Sequence, residues 1–167
     1  MVRIALFSLV LSLSSYVQAQ DKQSYIPSIN QGEKLYQSNC SICHGTKGMG
    51  DTAASKTMKI KPAALGDPVI LNRLSPEKVF DTLTHGISER GMPSYRNLTE
   101  KDRWDIAAYL FTLNCNFQKP TNEFRPSLNW AQSRVNTDSQ IVEILKRRGV
   151  PEKYISKELS AARYILE

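Results

Sequence analysis

Cys40-Ser41-Ile42-Cys43-His44 is the stretch on which the reading of this chain turns. Two cysteines three apart on a helical turn carry their sulfurs to the same side, and a histidine follows the second directly. Three chemistries use such a cluster. C-x-x-C-H is the attachment signature of a c-type haem: each sulfur forms a thioether with one vinyl group, and the histidine reaches the iron from the proximal side. A C-x-x-C pair is also a redox dithiol when it sits in a βαβ setting. Zinc takes four ligands, and Cys40, Cys43 and His44 with either Cys115 or His85 would supply that number.

The residues ahead of the motif weigh on this choice. Arg3 followed by the apolar run Ile4 to Leu13 and by Val17-Gln18-Ala19 has the layout of a secretory signal peptide, cut after Ala19. The expectation is export, and for a bacterial chain a periplasmic location. In an oxidising compartment exposed thiols pair or react unless something occupies them, and covalent haem attachment removes both. No βαβ pattern surrounds the motif. Haem c, one per chain, is therefore the cofactor carried forward, with zinc and a dithiol as alternatives.

The 167 residues amount to about one domain with some length over for appendages. Hydrophobic residues make up 41% and charged residues 23%, a balance that supports a packed domain and excludes wholesale disorder. Three Cys and two His are too few for a disulfide scaffold or a multihaem protein. No run approaches the ~20 apolar residues that a bilayer span requires. The net charge is +6, with Lys34, Lys47, Lys56, Lys59 and Lys61 grouped around the motif. An acidic redox partner and a solvated basic face explain that grouping equally well. The basic residues are otherwise dispersed and no nucleic-acid motif is present, so nucleic acid is not an expected partner.

The pattern downstream is helical with long loops. Residues 20–30 read as a polar leader, and a helix is expected from Gln31 into Cys40, with Gly32, Leu35, Tyr36 and Cys40 on its inner face. Residues 45–74 are rich in Gly, Pro, Ala and Lys. They read as a long irregular segment of the kind that wraps something functional, with a short helix near Thr52–Met58. Ser75-Pro76-Glu77 starts a helix that Gly86 ends. Thr99 to Asp102 caps another, running to about Asn114, with Trp104, Ala107, Ala108 and Phe111 along one face. Residues 116–136 read as a linker. Thr137-Asp138-Ser139-Gln140 is a capping box that opens the first of two further helices over 137–167. The haem domain is accordingly expected over 31–115, and the fold class is all-α.

A second axial ligand for the iron is sought among Met49, Met58, Met92 and His85. Met92 lies in Gly91-Met92-Pro93-Ser94-Tyr95, where Gly91 permits a sharp turn and Pro93 stiffens the backbone. That setting makes it the expected distal ligand. His85 would give bis-histidine ligation and a lower potential, but its place before Gly86 fits a C-capping or surface role. Met58 reads as packing, and Met49 as too close to Cys43 in a Gly-rich loop.

Residues 31–114 resemble class I monohaem c-type cytochromes. The likeness is carried by Gly32-x-x-Leu35-Tyr36 ahead of Cys40, by His44-Gly45, by Gly48-Met49-Gly50-Asp51, by Met92-Pro93-Ser94-Tyr95, and by Leu98-Thr99-Glu100 followed by Trp104, Ala107, Tyr109, Leu110 and Leu113. The resemblance implies helices and long loops wrapped around one haem. It implies thioethers at Cys40 and Cys43, iron held between His44 and Met92, and a first and last helix crossing at Gly32 and Tyr109. Pro62 would match the loop proline that holds the proximal histidine. The implied function is one-electron transfer with both axial positions filled, hence no enzyme and no small-molecule substrate at the iron. Its partners would be redox proteins, met through small, electrostatically steered contacts. A haem-binding enzyme or sensor subunit with a bis-His or open distal site is the alternative. The overall layout also resembles the cytochrome segment associated with bacterial high-affinity iron permeases.

Two features exceed a minimal cytochrome. Cys115 is an odd cysteine, either a small buried hydrophobe or a free thiol. The extension carries Ile141, Ile144, Leu145, Ile155, Leu159, Ala162, Ile165 and Leu166, apolar surface that requires a partner. That partner is either the haem domain itself or another protein, such as a subunit of a membrane redox complex.

Overall fold

The computed structural model describes residues 25–113, 128 and 130–163. The expected signal peptide over 1–19, residues 20–24 of the leader, Cys115, residues 116–127 and 129 of the expected linker, and the end of the last expected helix over 164–167 with Ile165 and Leu166 lie outside the described residues. Within them the chain is helical. No strand forms, only an isolated antiparallel bridge between Ile87 and Met92.

Helix α1 spans Ile29–Asn39 and starts two residues ahead of the expected point. The Ser28 hydroxyl accepts the Gln31 N–H and caps it. The Asp105 carboxylate then fixes the entry, accepting the Ser28 N–H at 2.7 Å and the Tyr25 hydroxyl at 2.5 Å. Part of the expected leader is thus bound to the domain by an acid 77 positions away from Ser28. After α2 (Ser41–His44), α3 (Ala53–Thr57) and α4 (Pro68–Leu71), helix α5 runs Pro76–His85 from the Ser75 cap to Gly86. Helix α6 spans Glu100–Leu110 behind a capping box of Thr99 and Asp102, and tightens into a 3-10 turn over Phe111–Leu113.

Helix α6 is buried all round from Trp104 to Leu110, not on one face as its pattern predicts. The reason is that it is gripped from several sides. On one, α1 crosses it so closely that a Cβ on Gly32 would stand 2.1 Å from the Asp105 carbonyl oxygen and 2.9 Å from the Tyr109 Cβ. Only a residue without a side chain allows that approach, and Tyr36 packs tilted on Tyr109 beside it, ring centroids 5.4 Å apart. On another, Phe80 of α5 stacks on Trp104 at 4.3 Å.

The remaining cover comes from the C-terminal extension. A short helix α7 (Trp130–Ser133) forms inside the stretch expected as linker, because Trp130 has an apolar surface to meet: its ring lies edge-on to Trp104, centroids 6.3 Å apart. Helices α8 (Asp138–Arg147) and α9 (Glu152–Arg163) bury Leu128, Ile141, Leu145, Ile155 and Ala162 between them. The Glu77 N–H donates to the Arg134 carbonyl at 2.9 Å, tying the extension to the start of α5.

Candidate functional site

The motif is presented on one turn. Cys40 closes α1, and the N–H groups of Cys43 and His44 both donate to its carbonyl, at 3.2 and 2.9 Å. The chain then leaves through Gly45, whose φ of 81° belongs to the left-handed side where glycine is favoured. Its carbonyl accepts the buried Tyr36 hydroxyl at 2.7 Å, and the Gly50 N–H donates to the His44 carbonyl at 2.7 Å. These bonds hold both ends of the motif.

His44 lies at a cavity of about 240 Å³ with a predominantly apolar lining. Its Nδ1 donates to the Ala63 carbonyl at 3.1 Å, which fixes the tautomer and leaves Nε2 with a free lone pair. Burial lowers the His44 pKa against the opposing pull of that carbonyl, so the ring is held neutral, the form that ligates metal. The carbonyl belongs to Ala63, one residue beyond the expected Pro62. Cys40 is buried and its thiol is pushed up to about 12, first by burial and then by Cys43. A redox dithiol needs a lowered thiol pKa, so Cys40 is poorly suited to that alternative. For the zinc alternative, no group of three or more His, Cys, Asp or Glu side chains among the described residues is placed to hold an ion.

Met92 enters the same cavity from the loop after α5. Its N–H and carbonyl pair with those of Ile87 at 3.1 and 2.9 Å, Gly91 turns the chain with a φ of 77°, and the Tyr95 N–H returns to the Leu83 carbonyl at 2.8 Å. The Tyr95 hydroxyl reaches the Asn39 carbonyl at 3.1 Å, linking this loop to the turn that carries Cys40. Gly86 makes the loop possible. A Cβ there would lie within 2.8 Å of the Ser94 nitrogen, the Met92 carbonyl oxygen and the Pro93 carbonyl carbon. The sequence marks Gly86 only as a helix stop; its close approach to a segment eight residues on has no local signal.

The cavity thus gathers Cys40, Cys43, His44, Met58 and Met92. His85 is exposed outside its lining, with Nδ1 on the Asp81 carbonyl, and Met49 is about half exposed at the surface beside Gly66. Lys61 and Arg90 stand at the cavity and bring positive charge to an otherwise apolar lining. A flat apolar ring with acidic side groups fits such a lining.

The family model described as cytochrome c oxidase, cbb3-type, subunit III matches residues 27–110. Among solved structures, a chain of the reducing HAO-like protein complex of Kuenenia stuttgartiensis aligns with 19% identity and a TM-score of 0.46. The alignment covers 74% of this chain and 59% of that one, so this chain spans less than two thirds of its length. No curated protein matches the chain.

Proposed function

Because the chain belongs to the cytochrome c family of cbb3-type cytochrome c oxidase subunit III, we propose that it is an exported one-electron carrier with one covalent haem c. Membership implies haem c; the observation that carries the finer reading is the convergence of Cys40, Cys43, His44 and Met92 on a single apolar cavity. When bound, the haem supplies the Fe(III)/Fe(II) couple. Cys40 and Cys43 would hold it through thioethers, and His44 and Met92 would be the axial ligands.

The protein's own groups do the rest. The Ala63 carbonyl orients His44 and keeps Nε2 available. Met92 offers a soft sulfur, which favours the reduced iron and raises the potential. The apolar lining, with Ile106 and Leu110 from α6 and Val79 and Leu83 from α5, excludes water. Lys61 and Arg90 would balance the carboxylates of the ring. With His44 and Met92 both holding the iron, no position would be left for a substrate to coordinate, so we read a carrier and not an enzyme. The exposed Ile42 and Met49, with Lys47, Lys56 and Lys59 in the neighbouring sequence, fit a transient acidic redox partner. Export to the periplasm rests on the residues over 1–19.

The test is to produce the chain in a host that matures c-type haem and to measure the intact mass and the oxidised and reduced spectra. The expected result is the mass of one haem added to a chain beginning at Gln20, retained after denaturation, with a low-spin c-type spectrum. A chain without added mass contradicts the haem assignment. Haem bound with an open, high-spin iron contradicts the carrier reading in favour of a ligand-binding protein.

A further inference from the structure

We propose that the C-terminal extension over 128–163 is a brace for one wall of the haem cavity, locked in place by Arg163. The proposal starts from a cation where none is expected. Arg163 ends α9 with 2% of its surface exposed. Its Nε donates to the Asp138 carboxylate at 2.8 Å, Nη1 to the Ser133 carbonyl and Nη2 to the Asn136 carbonyl at 2.7 Å. The face of the guanidinium lies 4.3 Å from the centre of the Phe111 ring. Arginine's rigid fork suits it to several acceptors at once. One side chain therefore joins α9, the start of α8 and the turn after α7 to the turn that closes α6.

The other contacts converge on the same wall. Trp130 meets Trp104 of α6 edge-on, and the Arg134 guanidinium lies 5.0 Å from the centre of the Trp104 ring. The Arg134 carbonyl accepts the Glu77 N–H at the first turn of α5. Helices α5 and α6 contribute Val79, Leu83, Ile106 and Leu110 to the cavity lining. Other apolar residues of the extension pack on one another: Ile141 and Leu145 have no exposed surface. Of its large hydrophobics among the described residues, Val135 and Tyr154 are exposed.

The inference rests on the haem reading only for the group behind the wall. Unsubstituted protein that attaches no haem would show that failure in its spectrum before any variant is made. The test is Arg163→Met in the holoprotein, read by proteolysis of the extension and by the reduction potential. The substitution leaves Asp138 buried without its cation, so cleavage in 128–163 should speed up on the order of a hundredfold. The loosened wall should admit water and shift the potential downward. Lys146→Ala, which removes an exposed pair with Glu152, should do neither. An extension that loosens while the potential and spectrum stay unchanged overturns the brace, and so does an extension that does not loosen. Should Arg163→Met give no folded holoprotein, hydrogen exchange of the unsubstituted holoprotein decides. Amides of α6 and α9 should exchange through one shared opening; an earlier, separate opening of α9 overturns the proposal.

Discussion

The cavity and the C-terminal extension are built on different plans. Around the cavity, main-chain hydrogen bonds and positive-φ glycines at 45, 86 and 91 shape the loops that bring His44 and Met92 to one apolar lining. In the extension, side chains fill their own core, and a buried Arg163–Asp138 pair with two carbonyls supplies the specificity. A region made to hold a cofactor leaves part of its packing to that cofactor. A region made to support another closes a core of its own and presses its remaining rings and cations on its neighbour. In a domain this small, burial of the cofactor contributes stability that the polypeptide core lacks.

That contrast can be broken at its strongest point first. Gly32→Ala sets a Cβ 2.1 Å from the Asp105 carbonyl, between rigid helices that cannot part without opening the cavity wall. The expected cost is about 4 kcal/mol or more, and no stable holoprotein should be recovered. A melting point within a few degrees of the unsubstituted protein would mean that the crossing is not required. Trp130→Ala removes the edge contact on Trp104 at the seam between the two regions. A loss of about 2 kcal/mol is expected, and the haem absorbance and the helical signal should still melt together. Two separate melts would make the extension an independent domain. The mildest change sharpens the comparison from inside the extension. Thr137→Ala deletes the cap that accepts the Gln140 N–H, worth about 1 kcal/mol. If the extension and haem domain form one unit, the haem absorbance should report that loss as fully as the helical signal does.

Signals confined to a few residues were legible in the sequence. The C-x-x-C-H turn, the caps at Ser75, Thr99 and Thr137 and the stop at Gly86 stand where the pattern predicts, and the crossing at Gly32 and Tyr109 stands where the family resemblance implies it. Long-range features were not. The start of α1 at Ile29 depends on Asp105, whose role no neighbouring residue announces. The histidine's acceptor is a main-chain carbonyl at Ala63, and carbonyls carry no side-chain signal, so the nearby Pro62 drew attention instead. Arg163 reads as an ordinary basic residue near a helix end. Its burial follows from Asp138, Ser133 and Asn136, which lie 25 to 30 positions back. The all-round burial of α6 from Trp104 to Leu110 has the same origin, since its outer side is covered by a segment that reads as linker and tail.

The most direct test of the central claim, that His44 and Met92 hold one haem iron, is the weak far-red sulfur-to-iron absorption band of the oxidised holoprotein. It should be present in the unsubstituted protein, Met49→Ala and Met58→Ala, and absent from Met92→Ala, whose iron should then bind added ligands at a lowered potential. A band that survives Met92→Ala, or one missing from the unsubstituted holoprotein, would contradict the assignment.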